Sequence, residues 1–547
     1  ALAVPVFPAV ATLDEDAERG KARKDKGVAA QLFETLDIRM WDHYLGPRTR
    51  RLFAADPPGG EGRLGELRAV ARADGFDLDD TSFDVTPDGA TLVTTWDRAG
   101  QLPSDLVAVD VAGGDRRVLA SGGEEGEDGA FAYSDVRCAP DGRSVACVRM
   151  VIGGLDRGHR ATLLVVDLAT GEAREPAPDT ELGPYGFAPG GLAWSPDSTA
   201  LFFTTDEDGR APVFHLDVAT GTVTRLSRAG AFTDLCPAPD GKTLYALRSS
   251  PTSPPEAVAL DASAPDQDPR PIPTPGLPVE VPGRVEELTA AAADGTPVHS
   301  WLLLPPDASP AAPAPLVVSI HGGPHMSWNA WSWRWCMPML VARGYAVLLP
   351  DPSLSTGYGQ AFTERGRGRW GEEPFTDLMA AVDHALERDD LDASRTGAAG
   401  GSFGGYMANW VAGHTDRFRA IMTHAGLWAL DQFHGTTDHA LWWEAEFGRP
   451  YDDLTRYQAA SPHRHVGEIT TPMLVIHGEQ DLRVPVGEAM RLWTDLARHG
   501  VEAKFLYFPD ENHWILKPQN VRVWYETVFA WFDHHLLGKD WARPELL

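Results

Sequence analysis

One short phrase recurs four times in the first half of the chain: TPDG at 86–89, APDG at 139–142, SPDS at 195–198 and APDG at 238–241. Proline presets the first corner of a tight turn and Asp-Gly completes it, so each phrase reads as a hairpin between two strands. A β-rich run follows each turn: ATLVTTW, RSVACVRM, TALFFTT and KTLYALR. A second run then ends in Asp: LVAVD (106–110), LLVVD (163–167), VFHLD (213–217) and AVALD (257–261). Several strands repeating every 40 to 55 residues or so predict a β-propeller, whereas a β-sandwich would not repeat a phrase at this period. LFAAD at 52–56 reads as the tail of an earlier unit. Propellers have about four to eight blades, so with four full units and one partial, the expectation is degenerate early blades or blades upstream of this chain's start.

The grammar changes near residue 283. Strand-like runs such as PLVVSIHGG (315–323), YAVLLPDP (345–352), RTGAAGGS (395–402), RAIMTHAG (419–426), PMLVIHGEQD (472–481) and AKFLYFPDENH (503–513) alternate with amphipathic stretches such as FTDLMAAVDHALE (375–387) and VGEAMRLWTDLARHG (486–500). Such alternation predicts a mostly parallel, doubly wound sheet with helices on both faces. The proline-rich stretch 261–283 reads as the linker. We therefore expect an all-β propeller over 1–282 and an α/β domain over 283–547.

Four glycines crowd one serine in AAGGSFGGYMANW (398–410). Gly400-x-Ser402-x-Gly404 lies between a strand-like and a helix-like run, the setting of a nucleophile elbow in an α/β-hydrolase fold, where only tiny residues fit beside the serine. A serine hydroxyl needs an adjacent base, and the base an orienting carboxylate; in this fold they follow in the order Ser, Asp, His at strand ends. Asp481 ends PMLVIHGEQD and His513 follows AKFLYFP, so Ser402, Asp481 and His513 are the expected triad. Each alone could be an N-cap or a loop residue; the order and placement select them. An oxyanion hole needs preorganised N–H donors, expected here from Phe403 after the nucleophile and Gly323 in HGGPH (321–325). Tyr406, Trp328 and Trp331 are candidates for an apolar substrate pocket, with core packing as the competing role.

Together the repeats, HGGP, GGSFGGYMANW, HGEQDLRVP and FPDENHWILKPQN resemble the prolyl oligopeptidase family of serine peptidases, in its acylaminoacyl peptidase and dipeptidyl peptidase V branch. LDIRMWDHYLG (36–46) also looks like a mid-propeller segment of that branch. The resemblance implies the same triad and oxyanion pair. It further implies a substrate-binding arginine two positions after the Asp, Arg483, holding the carbonyl of the second substrate residue through its planar fork. The acidic residues that hold a free substrate amine in dipeptidyl peptidases have no residue-by-residue match.

Composition limits the alternatives. With 78 acidic against 48 basic residues, the net charge of −30 argues against nucleic acid. The basic run KARKDK (21–26) reads as a solvated helix face. No apolar run approaches the roughly 20 residues that span a bilayer. ALAVPVFPAV lacks a basic n-region and a starting Met and reads as a processed or truncated end; no compartment follows, with the cytoplasm favoured. Cys138 and Cys147 flank a turn, where two buried thiols are favoured over a disulfide. HRH (463–465) has no partner cluster, so neither metal nor cofactor is expected. The expected reaction is serine exopeptidase cleavage of short peptides, with a carboxylesterase or lipase and a non-catalytic propeller scaffold as alternatives and a homo-oligomer left open.

Overall fold

The computed structural model describes residues 1–8, 10–56, 65–72, 78, 81–98, 101–123, 130–180, 191–276, 279 and 281–547. Four sheets of four antiparallel strands follow one another through the first half, beginning at Phe83–Val85, Phe131–Cys138, Leu192–Trp194 and Ala231–Pro237. Each Pro-Asp turn joins the first two strands of its sheet, and the runs ending in Asp are the third strands. Leu2–Val6, Thr49–Ala54 and Arg68–Arg72 form a three-stranded sheet, so LFAAD belongs to an earlier unit. KARKDK lies largely on the helix Leu13–Asp25, which opens with a capping box between Thr12 and Glu15. This is an all-β propeller segment preceding an α/β-hydrolase domain.

One expectation changes here. The proline-rich stretch is not all linker, because Arg270–Pro271 pairs with Ser253–Asp261 as the fourth strand of the last blade. Residues 277–278 and 280 of it lie outside the described residues. Cys138 stands opposite Val145 and Cys147 opposite Leu164, so the two sulfurs are not cross-strand partners and both thiols are free.

The second half is one eight-stranded sheet. Its order is Arg284–Ala291, Pro297–Leu304, Ala346–Pro350, Ala314–Ile320, Leu391–Gly401, Ala420–His424, Met473–Gly478, Ala503–Phe508. The first two pairings are antiparallel and the rest parallel. Every residue of Ala314–Ile320, Ala346–Pro350 and Met473–Gly478 is buried, as strands covered on both faces must be. Leu316 and Val318 pack with helices Glu373–Leu386, Phe403–Ala412 and Gly487–His499, whereas Val317 packs with Pro518–Leu537 on the opposite face.

The two halves are joined by part-buried polar contacts. Asp206, in a blade loop, accepts from Asn329 Nδ2 at 2.7 Å and from the Thr356 hydroxyl. Burial pushes its carboxyl up to about 6. The Gly158 amide donates to Glu364 Oε1 at 2.9 Å.

Candidate active site

The strand Leu391–Gly401 turns directly into the helix Phe403–Ala412 through Ser402, whose φ is +57° and ψ −121°. That positive φ is strained for a residue with a side chain. The flanking glycines are required by close approach. A Cβ on Gly400 would stand 2.2 Å from the Gly404 carbonyl oxygen, and one on Gly404 would stand 2.1 Å from that of Ile320. Neither clash can be relieved by a flexible side chain, since both neighbours are backbone. Gly404→Ala is therefore expected to destabilise the fold by several kcal/mol, at or above the roughly 1–3 kcal/mol usual for overpacking; urea unfolding measures it, and an unchanged midpoint would contradict the elbow packing.

Asp481 follows the strand Met473–Gly478 and His513 follows Ala503–Phe508, on adjacent parallel strands. His513 Nδ1 and Asp481 Oδ2 are 2.7 Å apart, with both residues buried. Asp481 Oδ1 accepts the Val484 amide at 2.8 Å, and His477 Nε2 lies 3.4 Å from Oδ2. Desolvation opposes the charge on Asp481, but the His513 imidazole and the hydrogen bonds from His477 and His513 outweigh it and hold the carboxyl well below its ordinary range. The two loops pack tightly enough that a Cβ on Gly478 would meet the Asn512 oxygen at 2.3 Å.

Ser402 reaches this pair through its neighbours. Its amide donates to the His424 carbonyl at 2.9 Å, and His424 Nε2 lies 3.2 Å from the His513 carbonyl oxygen. The HGGPH loop passes beside the serine, since a Cβ on Gly322 would lie 3.5 Å from that of Ser402. Gly323 has φ +114°, and a Cβ there would meet the His325 amide at 2.6 Å. Phe403 is the first helical residue, so its amide has no acceptor within the helix. A half-buried serine on the elbow, an imidazole poised by a charged carboxylate and backbone amides at the elbow are the parts that acyl transfer uses.

Arg483 lies close to this pair. Its Nε donates to Asp438 Oδ1 at 2.7 Å, and its guanidinium sits 5.1 Å from the Trp41 ring centroid. Trp41 belongs to the short hairpin Arg39–Met40/His43–Tyr44 of the propeller half. It meets the His513 ring edge to face at 5.1 Å, its amide donates to Asp438 Oδ2 at 2.6 Å, and its carbonyl accepts the Leu482 amide at 2.9 Å. Asn512, beside His513, donates to Asp42 Oδ2 at 2.7 Å. Sequence reasoning noticed this segment but gave Trp41 and Asp42 no role. The only local signal was a tryptophan between charged residues in a stretch without helical or strand period.

One expected pocket residue, Tyr406, is corrected. Tyr406 is fully buried, packs on Trp370 and Phe403, and donates its hydroxyl to the Ala460 carbonyl at 2.8 Å, so it is core. Trp328 donates its indole N–H to the Ser319 carbonyl at 3.0 Å. Trp328 and Trp331 wall a cavity with Pro251, Trp335 and Leu349 that no triad candidate lines. HRH lies in the 3-10 helix Pro462–Glu468. Among the described residues, one group with metal-ligating side chains is Glu502, His534 and His535, near the end of the last helix. Among the described residues, no helix is long and apolar enough to cross a membrane.

Comparison with known proteins agrees with this fold. The prolyl oligopeptidase family matches residues 331–539. Dipeptidyl-peptidase 5 of Porphyromonas gingivalis is 30% identical over 423 residues, spanning 75% of this chain and 60% of that protein. Dipeptidyl-peptidase 5 of Aspergillus fumigatus is 28% identical over 568 residues, spanning 94% of this chain and 75% of its own length. Acylaminoacyl peptidase of Pyrococcus horikoshii superposes with a TM-score of 0.76 at 18% identity, covering 94% of this chain and 79% of that one, a likeness of fold.

Proposed function

Because the chain belongs to the prolyl oligopeptidase family through residues 331–539, we propose that it is a serine exopeptidase that cleaves short peptides near their N-terminus. Ser402 attacks the scissile carbonyl, and His513 takes its proton. Asp481 keeps the imidazole proton on Nδ1 and stabilises the charge that forms there. The amides of Phe403 and Gly323 receive the oxyanion. His513 then returns the proton to the leaving amine, and a water activated by the same imidazole hydrolyses the acyl-enzyme. The observation carrying this reading is the 2.7 Å contact between His513 Nδ1 and the charged Asp481 carboxylate, beside a serine on a strained elbow.

The hairpin that brings Trp41 against His513 supports restriction to short or unfolded substrates, since a folded chain would have to displace it. The names of the two dipeptidyl-peptidase relatives make free-amine dipeptidyl substrates the first to try. A panel of aminoacyl, acylaminoacyl and dipeptidyl p-nitroanilides tests the assignment, and turnover of none of them, with rapid turnover of simple esters, would overturn it in favour of an esterase.

In this reading Arg483 offers its remaining guanidinium N–H groups to the carbonyl of the second substrate residue. A charge-assisted hydrogen bond contributes about 1.5–3 kcal/mol, so Arg483→Ala is expected to lower kcat/KM on peptides roughly 10- to 100-fold. A simple nitrophenyl ester lacks that carbonyl and should be nearly unaffected. Equal losses on both would assign Arg483 to holding Asp438 and Trp41 instead.

A further inference from the structure

His424 closes the strand Ala420–His424 and is buried at the centre of the sheet. Its backbone carbonyl accepts the amide of Ser402 at 2.9 Å. Its ring Nδ1 accepts the indole N–H of Trp524 at 3.1 Å. A nitrogen that accepts cannot carry the proton of a neutral imidazole, so Nε2 carries it and donates to the His513 carbonyl at 3.2 Å. We infer that His424 is a positioning residue for acyl transfer: its carbonyl fixes the backbone of the nucleophile, its ring fixes the backbone of the base, and Trp524 sets the tautomer that lets it do both.

The surroundings fit this role. Burial drives the imidazole down to about 3, helped by the neighbouring His513 and His477 and opposed by Asp481. Arg334 lines the cavity on the same side, with its guanidinium over Trp514. The ring therefore stays neutral while His513 cycles between neutral and charged. Trp335 packs edge to face on His424 at 5.6 Å and on Trp524 at 5.2 Å. The same indole closes the space beside Gly401, where a Cβ would stand 2.4 Å from it. His513 lies in a loop rather than in a strand ladder. Its side chain is anchored at one end by Asp481, and without a backbone pin the imidazole could pivot about that hydrogen bond. A displacement of about 1 Å at a reacting group can lower a rate by about 100-fold.

The inference rests on the triad reading, and the experiment separates the two. Active sites are titrated with a fluorophosphonate, and kcat is expressed per titrated site on a peptide p-nitroanilide. His424→Asn retains an acceptor for Trp524 but cannot reach the His513 carbonyl, whereas His424→Gln places an amide N–H near where Nε2 lies. His424→Asn is expected to lower kcat per titrated site about 10- to 100-fold with KM nearly unchanged. The second-order rate of fluorophosphonate labelling should fall in parallel. His424→Gln is expected to recover most of that loss. A merely structural histidine would reduce the number of titratable sites and leave kcat per site intact. An unchanged kcat per site in His424→Asn, or equal loss in Asn and Gln variants, overturns the inference. Should His424→Asn fail to fold, Trp524→Phe removes the indole donor, together with part of a buried ring, and frees the tautomer. A several-fold fall in kcat per site is then expected, and no change overturns the inference. Failure of the unsubstituted protein to label at Ser402 would instead sink the triad itself.

Discussion

Replacing Ser402 with Ala lowers kcat on a peptide substrate about a million-fold and abolishes fluorophosphonate labelling, if the serine is the nucleophile. The size of the effect follows from the covalent route. Without the hydroxyl there is no acyl-enzyme, and what remains is the contribution of the oxyanion donors and of substrate binding. The substitution should leave the fold intact. The positive φ at 402 is set by backbone packing of Gly400 and Gly404 against neighbouring carbonyls, not by the hydroxyl. Ala at that φ is strained to much the same degree as Ser. The circular dichroism spectrum and urea midpoint should therefore match the unsubstituted protein while activity disappears. Retained turnover of a p-nitroanilide would remove Ser402 from the mechanism.

The second large effect is at Asp481. Asp481→Asn keeps the volume but exchanges a charged acceptor for an amide that can itself donate. An Asn Nδ2 facing His513 Nδ1 stabilises the tautomer protonated at Nε2, which cannot take the serine proton. Loss of the correct tautomer in such triads costs about ten-thousand-fold in kcat. Because the folded carboxyl is held below its ordinary range, Asp481 contributes stability that is present above the unfolded carboxylate pKa and lost as pH falls through the folded value. Its protonation therefore does not shape the acid limb of activity near neutrality. Recovery of activity in the Asn variant at moderately acidic or neutral pH would contradict the assignment. The Val484 amide would keep its partner on the Asn oxygen, whereas His477, which faces the same carboxylate oxygen as His513, would lose an acceptor, so a modest stability change is expected beside the large kinetic one.

The candidate machinery was unusually legible in one dimension because each member sits at a point where local chemistry is extreme. Ser402 has two glycines on each side of the Ser-Phe pair, and Asp481 and His513 follow strand-like runs, the first a fully buried strand and the second a half-exposed edge strand. The Pro-Asp turns were legible for a related reason: proline fixes φ locally and glycine tolerates the positive φ that closes the turn, whatever the rest of the chain does. Tyr406 was misjudged because sequence marks an aromatic near a nucleophile but not the direction of its side chain. Its helix is buried on all sides, and the ring faces Trp370 and the Ala460 carbonyl. Arg270–Pro271 was misjudged because proline is common in linkers, yet an edge strand tolerates it as readily.

Periodicity, turn chemistry and the order of the reactive residues were written in the chain itself: repeated blades, then a parallel sheet, with a serine on an elbow and its partners at later strand ends. These are short-range properties, set by φ preferences and by which face of an element can leave water. What the folded molecule alone decided is the set of contacts between residues far apart in sequence. Trp41 lies against His513, Asp42 against Asn512, and Asp438 against Arg483. His424 bridges the backbones of Ser402 and His513. None of these pairings has a local signature, because a side chain's partner is chosen by how whole sheets and loops pack, and that choice appears only once the core has closed around them.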